Sequence, residues 1–259
     1  MKTVVFDLDG TLAISSKTQI DTEMVSLLSK LLLNYNIAII SSQSWKSLNS
    51  NVAELFDSNL KQLTNLYLLP CSGGSLYQVW SRYGWVPTYQ EKLSETDSDK
   101  ISRVVKDIIR NCSFTDKIWG KQIDIQESQV IYSIIGDKAP LEASISLDPE
   151  YKIRTIVVDN LQKRLPEFEV GICDRSSVYI TKKGISRKFG IDELMKRAHL
   201  SKDDVVYVGT EIFKGGKDYT AIEMGLDNVS LNDFEQTKEW VRNVLDRGLV
   251  ITKETKRTG

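Results

Sequence analysis

Asp7 and Asp9 stand one residue apart at the end of a short apolar run, Thr3-Val4-Val5-Phe6, and lead into Gly10 and Thr11. A carboxylate can hold a hard cation such as Mg²⁺ through its oxygens. It can also attack phosphorus and carry the phosphoryl group as an aspartyl-phosphate. Gly10 permits a tight turn that brings backbone N–H groups to face an anion, and Thr11 adds a hydroxyl. Acids often cap strand ends, so an Asp-x-Asp pair alone says little. The longer string Asp-Leu-Asp-Gly-Thr says more.

Ligands of open parallel sheets bind beyond the carboxyl ends of the strands. The polar residues following the other apolar runs belong to the same reading. Ser41, Ser42 and Gln43 follow Ile37–Ile40, and Thr210, Glu211 and, a loop later, Asp218 follow Val205–Val208. Lys182, Lys183, Arg187 and Lys188 cluster before a helix. Carboxylates, hydroxyls and cations meeting at one end of a sheet suit phosphoryl transfer. The acids would hold Mg²⁺, and the metal with a lysine would neutralise phosphate charge.

The elements that position these residues follow from periodicity. Thr3–Phe6, Ile37–Ile40, Leu66–Leu69 and Val205–Val208 are continuous apolar runs, as expected of strands buried on both faces. Helical spacing fits 20–34, about 45–56, 187–199, 218–225 and 233–247. Strand–helix alternation of this kind argues for a parallel sheet covered on both sides. Between the two halves the pattern changes: a hairpin around Gly84, helices over 97–111 and 149–164, and strands at 129–134 and from 168. The expected architecture is α/β, a parallel-sheet core made of 1–81 and 178–259 with an α+β lobe inserted at 82–177.

Composition limits the partners. The chain has 259 residues, 41% hydrophobic and 27% charged, with 34 Lys+Arg against 35 Asp+Glu. So even a balance gives no electrostatic reason to expect nucleic acid or a membrane surface. No apolar run approaches the ~18–20 residues that span a bilayer. Cys71, Cys112 and Cys173 are odd in number and widely spaced, which suits free thiols in a cytoplasm. A monomer or homodimer is compatible with all of this. The single histidine, His199, excludes multi-histidine metal sites.

Phe6-Asp7-Leu8-Asp9-Gly10-Thr11 resembles the first signature of the haloacid dehalogenase (HAD) superfamily, and the resemblance extends along nearly the whole chain. Gly184-Ile185-Ser186-Arg187-Lys188-Phe189-Gly190 looks like its third signature. The stretch from Gly209 to Tyr219, with Gly215-Gly216-Lys217-Asp218, looks like the fourth signature of phosphomannomutase-type members. The position of the insert resembles the α/β-capped branch that includes sugar phosphatases and eukaryotic-type phosphomannomutases. The resemblance implies a Rossmannoid core with a cap that sets specificity, Asp7 as nucleophile and Asp9 as general acid/base. It implies Mg²⁺ on Asp7 and the backbone carbonyl of Asp9, with Thr210, Glu211 and Asp218 nearby. It also implies a phosphoryl group bound by Gly10, Thr11, Ser42, Arg187 and Lys188. The implied function is a Mg²⁺-dependent phosphatase of small metabolites, with sugar phosphates the expected substrates. A phosphomannomutase and a binding or regulatory protein on the same scaffold are the alternatives. The chain departs from the family pattern where Thr210 replaces the metal-binding Asp, Lys217 an Asn, Arg187 a Lys, and Gln126 an Arg frequent in related caps.

Overall fold

The computed structural model describes residues 1–15, 18–56, 63–80, 83–112 and 114–249. Its framework is a seven-stranded sheet. Strand β1 (Thr3–Asp7) lies at the centre, parallel to β2 (Asn36–Ile40) on one side and to β10 (Val205–Gly209) on the other. Beyond β2 come β3 (Leu66–Leu69), β4 (Ser75–Trp80) and β5 (Gly84–Gln90), the last two antiparallel. Beyond β10 the sheet ends in β11 (Asp227–Ser230).

Successive strand residues point to opposite faces, and the sequence has apolar residues for both. Val4, Phe6, Ile37, Ile39, Val206 and Val208 pack on one side, against helices α1 (Thr22–Leu31) and α8 (Phe234–Arg247) through Met24, Leu28, Leu31, Val241 and Val244. Val5, Ala38, Ile40, Val205 and Tyr207 pack on the other. There they meet Ile191 and Leu194 of α6 (Arg187–Arg197) and Ala221 of the short α7 (Thr220–Glu223). Asp7 closes β1 on this second face, in step with Val5.

A second sheet, antiparallel throughout, runs β6 (Ile123–Ile125), β7 (Gln129–Ser133), β9 (Ser177–Lys182), β8 (Phe168–Ile172). Helices α3 (Glu95–Asn111) and α5 (Lys152–Arg164) bury Ile101, Val105, Ile108, Val157 and Leu161 against Val130, Tyr132, Val178 and Ile180. This lobe has its own apolar core, and Tyr132 belongs to it. The remaining helices are α2 (Trp45–Asn51) in the first unit and α4 (Leu141–Leu147) in the second, the latter without a clear signal in the sequence.

The sheets do not divide at 82 and 177. The Gly84–Gln90 strand extends the first sheet through β4, and Ser177–Lys182 is an inner strand of the second, paired with both β7 and β8. Local pattern cannot reveal which sheet a hairpin joins, because pairing partners lie far away in sequence. We propose that the lobe is bounded by the links 91–94 and 183–186. Among the described residues no helix is long and apolar enough to cross a membrane.

One buried ion pair holds the lobe's lower loops. Arg154 donates from Nε to Asp148 Oδ2 at 3.0 Å, from Nη2 to the Asp148 carbonyl at 2.7 Å and from Nη1 to the Asp174 carbonyl at 2.7 Å. Both side chains are almost wholly out of solvent. Truncating one member of a buried pair leaves the other uncompensated, which costs about 3–5 kcal/mol. Arg154→Ala is expected to destabilise the protein by that amount, read from the midpoint of urea unfolding at constant m-value.

Candidate active site

The carboxyl ends of β1, β2 and β10 meet α6 at one place. Ser186 caps α6 by accepting from the Phe189 amide, which fixes Arg187 in the first helical position and turns it inward. Arg187 is 3% exposed, whereas its neighbour Lys188 lies on the solvent side of the same turn. Lys188, expected at the phosphate, thus lies outside the cluster that Arg187 enters; one step along a helix rotates a side chain by about 100°, onto another face.

Asp7 is completely buried and its two oxygens face two cations. Arg187 Nη2 lies 2.9 Å from Oδ1 and Lys217 Nζ lies 2.9 Å from Oδ2. Thr11 Oγ1 donates to Oδ2 at 3.4 Å, so this hydroxyl serves the carboxylate rather than an open phosphate position. Lys217 Nζ also donates to the backbone carbonyl of Asp9 at 2.8 Å. Burial works against the lysine's charge, but Asp7, Glu211, Asp218 and Asp9 outweigh it and hold its pKa above the usual lysine range.

The turn after β1 is closed on itself. The amides of Thr11, Leu12 and Ala13 all donate to the Leu8 carbonyl, and the Gly10 amide donates to the Ala13 carbonyl at 2.7 Å. These N–H groups are therefore not presented to an anion as expected. Gly10 matters differently: its φ is +86°, and a Cβ there would stand 3.3 Å from Thr210 Oγ1 and 3.6 Å from Arg175 Nη2. The glycine lets both side chains lie against the turn.

Asp218 is fully buried and its oxygens are engaged. Oδ1 accepts from Tyr207 OH at 2.7 Å, with Arg187 Nη1 at 3.5 Å, and Oδ2 accepts from the Glu211 amide at 3.1 Å. Gly209 makes this possible, since a Cβ there would fall 2.6 Å from Asp218 Oδ2. Glu211 is buried as well and lies beside Tyr151, brought down from the second lobe.

Asp9 faces a cavity of about 230 Å³ between the two sheets, lined also by Ser42, Gln43 and Lys217 on one side and by Gln122, Gln126, Ser133, Cys173, Asp174 and Arg175 of the lobe on the other. Neither carboxylate oxygen of Asp9 has a hydrogen-bond partner. Burial, helped by Asp7 and Asp174 and opposed by Lys217 and Arg187, leaves its pKa pushed up to about 7. Gln129 ties the lobe to this rim: its Nε2 donates to the Ser42 carbonyl at 2.6 Å and its Oε1 accepts from Ser72 Oγ at 3.1 Å.

The structure thus brings together Asp7, Asp9, Thr11, Ser42, Arg187, Thr210, Glu211 and Asp218. It leaves Lys188 outside. Sequence reasoning missed Asp174 and Arg175, in the loop between β8 and β9. The strand-end rule for parallel sheets could not find them, because the second sheet is antiparallel and the loop reaches the site only through long-range folding.

The expected Mg²⁺ can be tested against its donors. Mg²⁺ asks for six oxygens at about 2.0–2.1 Å in near-octahedral array. Here the Lys217 ammonium occupies the space between Asp7 Oδ2 and the Asp9 carbonyl. Both Asp218 oxygens are already bonded, and Thr210 offers only a neutral hydroxyl. Among the described residues no three of His, Cys, Asp and Glu are grouped to hold a metal. The donor set does not fit a divalent cation.

No protein-family profile matches the chain, and no curated protein matches it in sequence. Solved structures do resemble it. The IMP-bound, N-terminally truncated IMP-nucleotidase of Plasmodium falciparum superposes with a TM-score of 0.70 at 13% identity, over 95% of this chain and 68% of that one. The SMU.1108c protein of Streptococcus mutans gives 0.60 at 12% identity, over 95% and 99%. A trehalose-6-phosphate phosphatase related protein gives 0.55 at 13%, over 95% and 98%. The chain has the fold of the haloacid dehalogenase superfamily, a mainly parallel core sheet with a capping antiparallel sheet.

Burial also sets how stability responds to pH. The pKa of Asp9 rises from 3.8 to about 7 and that of Asp218 from 3.8 to about 6, burial being the largest cause for each. The folded protein therefore keeps protons that the unfolded chain has already released. Stability from these groups is full below about pH 4 and declines as pH climbs through about 6 to 7. Urea unfolding followed across that range should show the decline, and Asp9→Asn, neutral at every pH, should flatten it while raising the midpoint above pH 7.

Proposed function

We propose that this chain is a phosphomonoester hydrolase acting on small phosphorylated metabolites, with Asp7 as nucleophile and Asp9 as general acid and then general base. The observation that carries the reading is Asp9. Its carboxyl is buried, unpartnered, open to the cavity and pushed up to about 7, beside a carboxylate flanked by two cations. A carboxylic acid poised near neutral pH suits proton transfer in both directions.

In the first step an Asp7 oxygen bonds to phosphorus as the bond from phosphorus to the leaving alcohol oxygen breaks. The Asp9 proton goes to that oxygen. In the second step the Asp9 carboxylate takes a proton from water as the water oxygen attacks phosphorus. The bond from phosphorus to Asp7 breaks, and inorganic phosphate leaves. Lys217, Arg187 and Arg175 offset the charge on the transferring group, and Ser42 offers it a hydroxyl. The polar wall of Gln122, Gln126 and Ser133 favours a hydroxylated body such as a sugar phosphate. Similar folds in an IMP-nucleotidase and a trehalose-6-phosphate phosphatase related protein support phosphoesters of sugars or nucleosides.

A phosphomannomutase needs the cap to bind a second phosphate. Arg175, in the lobe's own loop between β8 and β9, is the one arginine lining the cavity among the described residues, and it lies against Gly10 in the Asp7–Asp9 turn, which leaves no further arginine there for a second phosphate. Hydrolysis is therefore favoured over mutase chemistry. A binding or regulatory role has one observation in its favour, the completely buried and doubly ion-paired Asp7.

A panel of sugar phosphates and nucleoside monophosphates decides among them. Wild type should release phosphate, and Asp7→Asn should lose activity by about three orders of magnitude or more. Asp9→Asn should slow turnover about 10²–10⁴-fold, most for poor leaving groups. The wild-type rate should fall as pH rises through about 7, where Asp9 loses its proton. Isomerisation without phosphate release would indicate a mutase. No turnover of any phosphoester would favour the regulatory reading.

A further inference from the structure

The cation at the heart of the cluster is part of the chain. Lys217 Nζ makes contacts of 2.9 Å to Asp7 Oδ2 and 2.8 Å to the Asp9 carbonyl, the two oxygens on which the resemblance implies Mg²⁺. These are full charge-assisted hydrogen-bond distances, so the ammonium and a metal ion exclude one another. The surroundings have changed in the same sense. Thr210 puts no carboxylate there, and Asp218 is turned into a buried hydrogen-bond acceptor for Tyr207 and the Glu211 amide. Four carboxylates near Lys217, with its side chain 1% exposed, keep it charged.

We infer that Lys217 is the resident cation of this centre, a catalytic residue doing a divalent metal's work, and that phosphate binding and turnover need no metal. The inference rests on the phosphohydrolase reading for turnover, but not for the position of the cation. A lysine ammonium has three donors. Two are engaged by Asp7 and Asp9, and Lys217 lines the cavity, so the third is available to a phosphoryl oxygen. The ammonium carries one charge where Mg²⁺ carries two. Arg187, on the other Asp7 oxygen, supplies the second.

Calorimetry of the wild-type chain with Mg²⁺ and Mn²⁺ alone tests the position directly. No saturable binding at millimolar metal is expected. Saturable binding that Asp7→Asn abolishes would overturn the inference, whatever the activity proves to be. Inorganic phosphate is the second probe. Its affinity should be the same in EDTA and in Mg²⁺, and Lys217→Met should weaken it about tenfold or more, the loss of one charged hydrogen bond. Phosphate binding that requires Mg²⁺, or that Lys217→Met leaves untouched, would also overturn it. Should Lys217→Met fail to fold, the wild-type measurements still decide. Absence of any phosphoester turnover would sink the hydrolase reading and leave the calorimetry to settle the cation.

Discussion

The structure depends on compensating one carboxylate that the fold removes from solvent. Asp7 ends the central strand, under the apolar layer formed by Val5, Ala38, Ile40 and Tyr207. An isolated carboxylate there would cost several kcal/mol or would take up a proton. Lys217 and Arg187 remove that cost from opposite sides. Each cation comes from a different element, the loop after β10 and the start of α6, so three separate stretches of chain are drawn to the same point. Asp9, without such partners on its own oxygens, responds in the other available way and holds its proton near neutrality. Two acids two residues apart are thereby placed in different settings, one ion-paired on both sides and one unpartnered beside the cavity, an asymmetry that suits acid–base chemistry on a phosphoester.

The second lobe is fastened to this cluster through polar groups. Gln129 spans Ser42 and Ser72, the Ser75 and Ser128 hydroxyls meet at 3.3 Å, and Tyr151 reaches Glu211 and stacks edge-on against Phe213. Tyr151 does so with φ at +62°, a left-handed conformation that a bulky residue adopts only when its surroundings enforce it. The Arg154 guanidinium lies over its ring and is itself locked to Asp148. Apolar packing makes each lobe, and hydrogen bonds join them.

Much of the core was legible in the sequence because its signals are local. Continuous apolar strands at Thr3–Phe6 and Val205–Val208 imply a sheet covered on both faces, and the acids at their ends imply a site there. Arg187 and Lys217 were visible as departures from a family pattern, but a departure does not say where a side chain points. Arg187 and Lys188 are adjacent and both cationic; only the helix start at Ser186 separates the buried one from the exposed one. Asp174 and Arg175 gave no local sign, because their importance comes from a loop folded back across more than 160 residues of sequence to reach Gly10. Which sheet β9 joins was hidden for the same reason: it is an inner strand of the second sheet, and only pairing at long range shows it.

That strand leads directly to the buried charge cluster around Asp7. β9 ends at Lys182 and α6 begins at Arg187, and the turn between them is tight, with the Ile185 amide on the Lys182 carbonyl at 3.0 Å and the Thr181 hydroxyl on the Ile185 carbonyl at 2.6 Å. A stiff link this short acts as a lever arm. It ties the lobe's sheet to the guanidinium at the other end, which rests on Asp7. The covalent chain itself thus gears the second sheet to the buried carboxylate that closes the central strand of the first.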